Sequence, residues 1–258
     1  MRVVKLGGAS LAQDLPRIAA ALARADQPQV IVHGGGPQVS EMADRLGIPT
    51  RKVAGRRITD EATLELVVMV LGGLLHNRMV STLVAAGVPA VGVAGPSILR
   101  ARRRPPLDID GQSVDFGLVG EIDRVETEPL RAMLAQGFVP VIPSVAGGVD
   151  GALFNVNADT TAARVAAALG AEELIQVTDS GGVWGIKDRP SSVIEDLDLT
   201  ETRRLLSQGV ASEGMRPKLE TAIWALESGV PRVRIVGAEG IGLPDGGTVV
   251  RAAPPGSR

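Results

Sequence analysis

The chain has no cysteine. That excludes a disulfide framework, a thiolate nucleophile and any cysteine metal site. Its two histidines, His33 and His76, are too few for a histidine-rich metal centre, and no metal-ligating residue is predicted. No apolar run reaches membrane-spanning length, and the N-terminus lacks a signal-peptide pattern, so the cytoplasm is the expected compartment. A formal net charge of −2 argues against nucleic-acid binding through bulk positive charge. The usual phosphate signatures are also missing: no G-x-x-x-x-G-K-[ST] loop, no strand-linked G-x-G-x-x-G, and no protein-kinase motif set. Any phosphate this chain handles must be held in another way.

With 258 residues, 45% of them hydrophobic, the chain can bury a large core as one domain or two closely joined ones. Its 32 glycines are clustered, notably at Gly7-Gly8, Gly34-Gly35-Gly36, Gly72-Gly73 and Gly181-Gly182. Clusters placed just after apolar strand-like runs suggest backbone approaching a ligand closely.

Short β-branched runs alternate with helical patterns along the chain. RVVKL reads as a strand and DLPRIAAALARA as a helix with Pro16 in its first turn. QVIVH is a strand, and PQVSEMADRLG a helix stopped by Gly47. A Thr59 N-cap starts a helix over TDEATLELVVMVLGG, and LLHNRMVSTLVAAG forms another. Residues 98–126 read as a hairpin excursion. Its basic run, Arg100, Arg102, Arg103 and Arg104, is either solvated or helps attract an anionic ligand. Strands FVPVIPSV and ALFNV follow, then helix ADTTAARVAAALG, strand EELIQVT, helices TETRRLLSQG and RPKLETAIWALESG, and strands RVRIV and GTVVR. This alternation predicts a three-layer αβα sandwich with a mostly parallel central sheet. Ligands bind such sheets at the carboxyl ends of the strands, where the glycine clusters fall. The segment LELVVMVL is apolar nearly all round, which places it centrally or at a subunit interface.

Four segments carry the chemistry. Lys5 in KLGG is an edge-of-strand charge or a cation aimed at an anion. In VHGGGP, glycine N–H groups at a helix start make an anion site without any side chain. In NVNAD, Asn157 or Asp159 could be simple helix caps. EGMRPKLETA places Lys218 in the first turns of a helix, where a lone lysine would ordinarily be solvated.

Taken together, KLGGAS, VIVHGGGPQVSEMADRLGIP, GRRITDEATLELVVMVLGGLLHNRMV, FNVNADTTAARVAAALGA, LIQVTDSGGV and EGMRPKLETA resemble the amino acid kinase superfamily, within it the branch acting on N-acetyl-L-glutamate. The resemblance runs over nearly the whole chain. It implies ATP-dependent phosphorylation of a side-chain carboxylate, giving an acyl phosphate in arginine biosynthesis. It also implies an N-terminal lobe over 1–170 for the amino-acid substrate and dimerisation, and an ATP-binding C-terminal lobe over 171–258. By the same resemblance, Lys5 and Lys218 flank the transferring phosphoryl group, Asp159 holds both ammoniums, and Gly8 and Gly35 donate N–H groups. Arg57 would clamp the substrate α-carboxylate, with Asn155, Gly35 and Gly36 completing the pocket. ATP would lie along Asp179, Ser180, Gly181, Gly182, Val183 and Trp184, with Val210, Ala211 and Ser212. Mg²⁺ would be held mainly by the nucleotide phosphates. Arg56 departs from the pattern and is expected to face solvent; Arg78, where relatives often carry lysine, is a conservative surface or packing change; His33 is expected to be structural. The alternatives are a kinase acting on a carrier-protein-linked aminoadipyl or glutamyl group, and a non-catalytic nucleotide-binding protein on the same fold. Because the first strand begins near Arg2, the resemblance leaves no room for the helix that links dimers into arginine-inhibited hexamers. The expected assembly is therefore a homodimer that arginine does not inhibit by that route.

Overall fold

The β-branched runs form one eight-stranded sheet in the computed structural model, which describes residues 1–109, 111–185, 192–209 and 214–252. Its strands lie in the order Asp196–Asp198, Thr248–Arg251, Arg232–Val236, Glu173–Val177, Arg2–Leu6, Gln29–His33, Val139–Pro143, Ala90–Gly92. All neighbours are parallel except Arg232–Val236 and Thr248–Arg251. Arg2–Leu6 and Gln29–His33 are buried at every residue, as central strands covered on both faces must be. The sheet is continuous across the expected lobe boundary, since Arg2–Leu6 pairs with Glu173–Val177 along its whole length.

Alternate residues of these strands feed two cores. Val3, Val30 and Leu174 pack with Ala162, Leu219 and Ala222, from helices Ala158–Leu169 and Arg216–Glu227. Val4, Ile31 and Ile175 pack with Ile18, Leu66, Leu71 and Met79 on the other face. A second, four-stranded sheet joins Leu153–Asn155, Val145–Gly147, Leu99–Arg103 and Gly120–Val125. There the basic run is ion-paired across the strands, Arg100 with Glu126, Arg102 and Arg104 with Glu121, and Arg103 with Asp115.

Three local expectations change. The first helix is Gly8–Ala23, so it begins in the glycine turn and Pro16 lies inside it rather than in its first turn. The N-cap of the next long helix is Asp60, whose side chain accepts from the Thr63 N–H; Thr59 is buried and bonded elsewhere. Finally, Gly72-Gly73 does not end that helix. Glu61–Ala85 is one 25-residue helix, with a π-helical stretch over Val68–Leu74. It is long and apolar enough to cross a membrane, unlike the sequence expectation, but its buried Leu66, Val67, Leu71, Met79 and Leu83 pack in the core. That packing accounts for one face of the helix, while Met69, Leu74 and Val84 stay exposed, and it outweighs the roughly 1 kcal/mol that each helical glycine costs.

Candidate active site

Helix starts converge at the carboxyl ends of the central strands. Leu6 leads through Gly7 into Gly8–Ala23, and His33 leads through Gly34-Gly35 into Gly36–Leu46. Neither Gly7 nor Gly35 supplies a side-chain cap, so the first N–H groups of both helices remain for a ligand. Ala158–Leu169 and Arg216–Glu227 start beside the same cleft, which has a volume of about 720 Å³.

The two glycine turns touch. A Cβ on Gly8 would lie 2.6 Å from Pro37 Cδ and 3.1 Å from Gly35 Cα. On Gly35 it would lie 2.5 and 2.6 Å from the Leu75 and Leu71 side chains. On Gly36 it would meet nothing within 4 Å. Gly35→Ala is therefore expected to destabilise the fold by about 1–3 kcal/mol through overpacking, measured by denaturant unfolding. Gly36→Ala should leave stability unchanged, and equal effects would contradict this packing.

Asp159 is the ionic centre. Asn157 is the actual cap of Ala158–Leu169, accepting from the Thr160 N–H, which leaves Asp159 free to face inward. One of its oxygens, Oδ1, lies 2.8 Å from Lys5 Nζ and 3.7 Å from Lys218 Nζ. The Lys5 contact is a close ion pair, whereas Lys218 stands beyond hydrogen-bond distance and acts on the carboxylate mainly through its charge. Burial pushes the Asp159 carboxyl up, but the two ammoniums outweigh it and hold it below its ordinary value. Lys218 is brought down to about 8, first by burial and then by repulsion from Lys5, with Asp159 only partly offsetting both. The carboxylate thus does not keep Lys218 as firmly protonated as its proximity suggests.

Across the cleft, Arg57 Nη2 donates to the Gly36 carbonyl at 3.1 Å and to Ser40 Oγ at 2.7 Å. Arg57 Nη1 is buried without a partner. Burial lowers the guanidinium pKa, opposed by the charge of Asp44. A half-buried guanidinium with one buried nitrogen left unpartnered is suited to a carboxylate from outside the chain. Asn155 lines the same cleft and donates to Thr59 Oγ1 at 3.1 Å. Arg56, expected to face solvent, instead lines the cleft half-buried, whereas Arg78 is exposed.

The Asp179–Trp184 stretch forms a tight loop beyond Glu173–Val177, turned by Gly181 at φ 73°. Ser180 Oγ donates to the Gly182 carbonyl, and Trp184 Nε1 to the Ser180 carbonyl. Val183 is buried in the core, and its N–H is taken by Thr248 Oγ1. Asp179 acts on Lys218 through its charge, but this loop does not line the cleft among the described residues. Val210, Ala211 and Ser212 lie outside the described residues.

Two glutamines complete the site that the sequence reading did not single out. Gln38 Nε2 donates to the Gly8 carbonyl at 2.7 Å, bridging the two glycine turns. Gln176, in register with Lys5, donates to the Lys218 carbonyl and Thr221 Oγ1. The signal for Gln176 was the same as for Lys5: a polar residue inside an otherwise apolar central strand.

Residues 1–237 match the amino acid kinase family model. The acetylglutamate kinase of Methanopyrus kandleri is 40% identical over 253 residues, 97% of this chain and 100% of that protein. That of Sorangium cellulosum is 42% identical over 268 residues, 99% of this chain and 92% of its own. The carbamate kinase structure from Giardia shares the fold, with a TM-score of 0.72 at 14% identity and 98% of each chain covered.

Proposed function

The chain belongs to the amino acid kinase family, and on that premise we propose that it transfers the γ-phosphoryl group of ATP to the side-chain carboxylate of N-acetyl-L-glutamate, yielding N-acetylglutamyl 5-phosphate for arginine biosynthesis. Relatives at about 40% identity over nearly the full chain are acetylglutamate kinases, so the carrier-linked alternative is not favoured. The observation that carries the chemistry is the pair of ammoniums on Asp159, set at converging helix starts opposite the half-satisfied Arg57.

In this reading Arg57 takes the substrate α-carboxylate through Nη1, and Asn155 and the Gly36 backbone border the same pocket. The side-chain carboxylate then points toward Lys5 and Lys218. A carboxylate oxygen attacks the γ-phosphorus, the bond from that phosphorus to the β,γ-bridging oxygen breaks, and ADP leaves with the electron pair. No general base is needed, since the nucleophile carries no proton at neutral pH. The barrier is charge: an anion must meet a polyanion, and both lysines with the Gly8 and Gly35 N–H groups offset it. Mg²⁺ would ride on the phosphates. Of the two carboxylates that line the cleft among the described residues, Asp159 faces the lysines and Glu220 pairs with Arg216. The nucleotide would extend along Asp179–Trp184, assigning residues 171–258 to ATP and 1–170 to the amino acid.

A coupled ADP-release assay tests the assignment. Turnover is expected with N-acetylglutamate and not with N-acetyl-aminoadipate, aspartate, glutamate or UMP; none with the first would sink it. A homodimer through the long helix is proposed as well, because Met69 and Leu74 are exposed beside the bare Gly72-Gly73 surface. Light scattering should give twice the chain mass; a monomer or hexamer would contradict it.

A further inference from the structure

The reaction as proposed leaves both histidines unused, yet they are the most deliberately placed polar pair outside the ionic centre. His33 is fully buried at the end of its strand, immediately before the glycine turn. Its Nδ1 lies 3.0 Å from the Gly34 carbonyl, and its Nε2 lies 3.0 Å from Nδ1 of His76 on the long helix. The rings stack with an interplanar angle of 22°.

These contacts fix where the protons are. A carbonyl can only accept, so His33 Nδ1 carries the hydrogen. Burial brings His33 down to about 3 and lowers His76, so both rings are neutral at working pH. His33 Nε2 is then an acceptor, and His76 Nδ1–H must be its donor. The chain of donation runs from the long helix through His76 and His33 to the Gly34 carbonyl.

That carbonyl shares a planar peptide with the Gly35 N–H, and in a trans peptide the two point in opposite directions. Holding the carbonyl toward His33 turns the Gly35 N–H away from it. Among the described residues no group of the chain accepts that N–H. Glycine has no side chain to hold the peptide in place, so an external anchor is required.

We propose that His76 and His33 are positioning residues, which lock the Gly34–Gly35 peptide so that the Gly35 N–H is presented to the phosphoryl group. This rests on the phosphoryl-transfer reading above. Removing the His76 donor frees His33 to adopt its other tautomer and releases the Gly34 carbonyl.

Because the chain has only these two histidines, long-range ¹H–¹⁵N correlation spectra of the intact protein resolve them directly. Both rings should be neutral Nδ1–H tautomers, the minor form in water; an Nε2–H tautomer at His33 would overturn the proposal. His76→Leu should retain the fold by circular dichroism and lower kcat roughly 10- to 100-fold, the size expected from small misplacement of a reacting group. KM for N-acetylglutamate should change less than about threefold. His76→Asn, whose amide nitrogen stands at the same bond distance as Nδ1, should restore most of kcat. Unchanged kcat in folded His76→Leu, or no rescue by asparagine, would refute the role. If the wild type fails to turn over N-acetylglutamate, the substrate reading falls, and the Gly35 amide resonance still decides this one. It should shift in His76→Leu and return in His76→Asn, and an unmoved resonance would overturn the anchor.

Discussion

Alanine at Lys5 or at Lys218 is expected to lower kcat by about 10²- to 10³-fold, equivalent to roughly 3–4 kcal/mol of lost transition-state stabilisation. Each lysine reaches the same carboxylate oxygen from a different element, Lys5 from the central strand and Lys218 from the start of Arg216–Glu227. They therefore converge on one point, and in the proposed reading they would offset the charge that builds on the oxygens of the transferring phosphoryl group. The effect should fall mainly on kcat, because these cations are most useful where that charge develops, while Arg57 continues to bind the substrate. Lys5→Ala also removes the closer partner of buried Asp159, so its unfolding midpoint should drop more than that of Lys218→Ala. Steady-state kinetics with N-acetylglutamate and ATP, alongside circular dichroism, separate the two effects. Near-normal kcat in both variants would refute the role.

Much of the fold was legible because central strands and amphipathic helices write their burial into local pattern. RVVKL, QVIVH and ELIQV are buried runs of β-branched residues, and Gly47 and Gly170 end their helices with left-handed backbone. The start of the first helix was less legible. Its N-cap is glycine, with no side chain to announce it, whereas Asp14 and Pro16 imitate a start further along. The long helix was split in reading because a glycine pair ordinarily signals a stop. Here the core contacts of Leu66, Leu71, Leu75 and Met79 carry the helix through it.

The site divides similarly. Lys5 could be suspected locally, since a lysine in a buried strand needs a partner. Lys218 could not, because alone it reads as a solvated helix lysine. Its burial depends on two helices distant in sequence lying side by side, with Arg164 of one 4.3 Å from the Trp224 ring centre of the other. The inward turn of Arg56 and the bridging by Gln38 likewise follow from the approach of separate elements, which no local pattern records.

Asp159→Asn separates the ionic centre from mere structure through its pH dependence. In the free protein Lys218 sits at about 8, drawn down by burial and by Lys5, and drawn up by Asp159. A reaction needing Lys218 as an ammonium should show kcat/KM falling above roughly pH 8 in the wild type, since that ratio reports the free enzyme. Asparagine removes the charge that raises Lys218, so its pKa falls and the alkaline limb moves to lower pH. The deficit of the variant should therefore be smallest near pH 6, about tenfold, and grow to about 10²-fold or more at pH 8. Stability follows the same sign. The Asp159 carboxyl is held below its ordinary value, so its contribution is present at neutral pH and fades as acid protonates it. A variant impaired only by loosened packing would lose the same factor at every pH where it stays folded. A parallel displacement of the two pH profiles would thus remove Asp159 from the charge balance of the site, whereas a widening gap toward alkaline pH places it there.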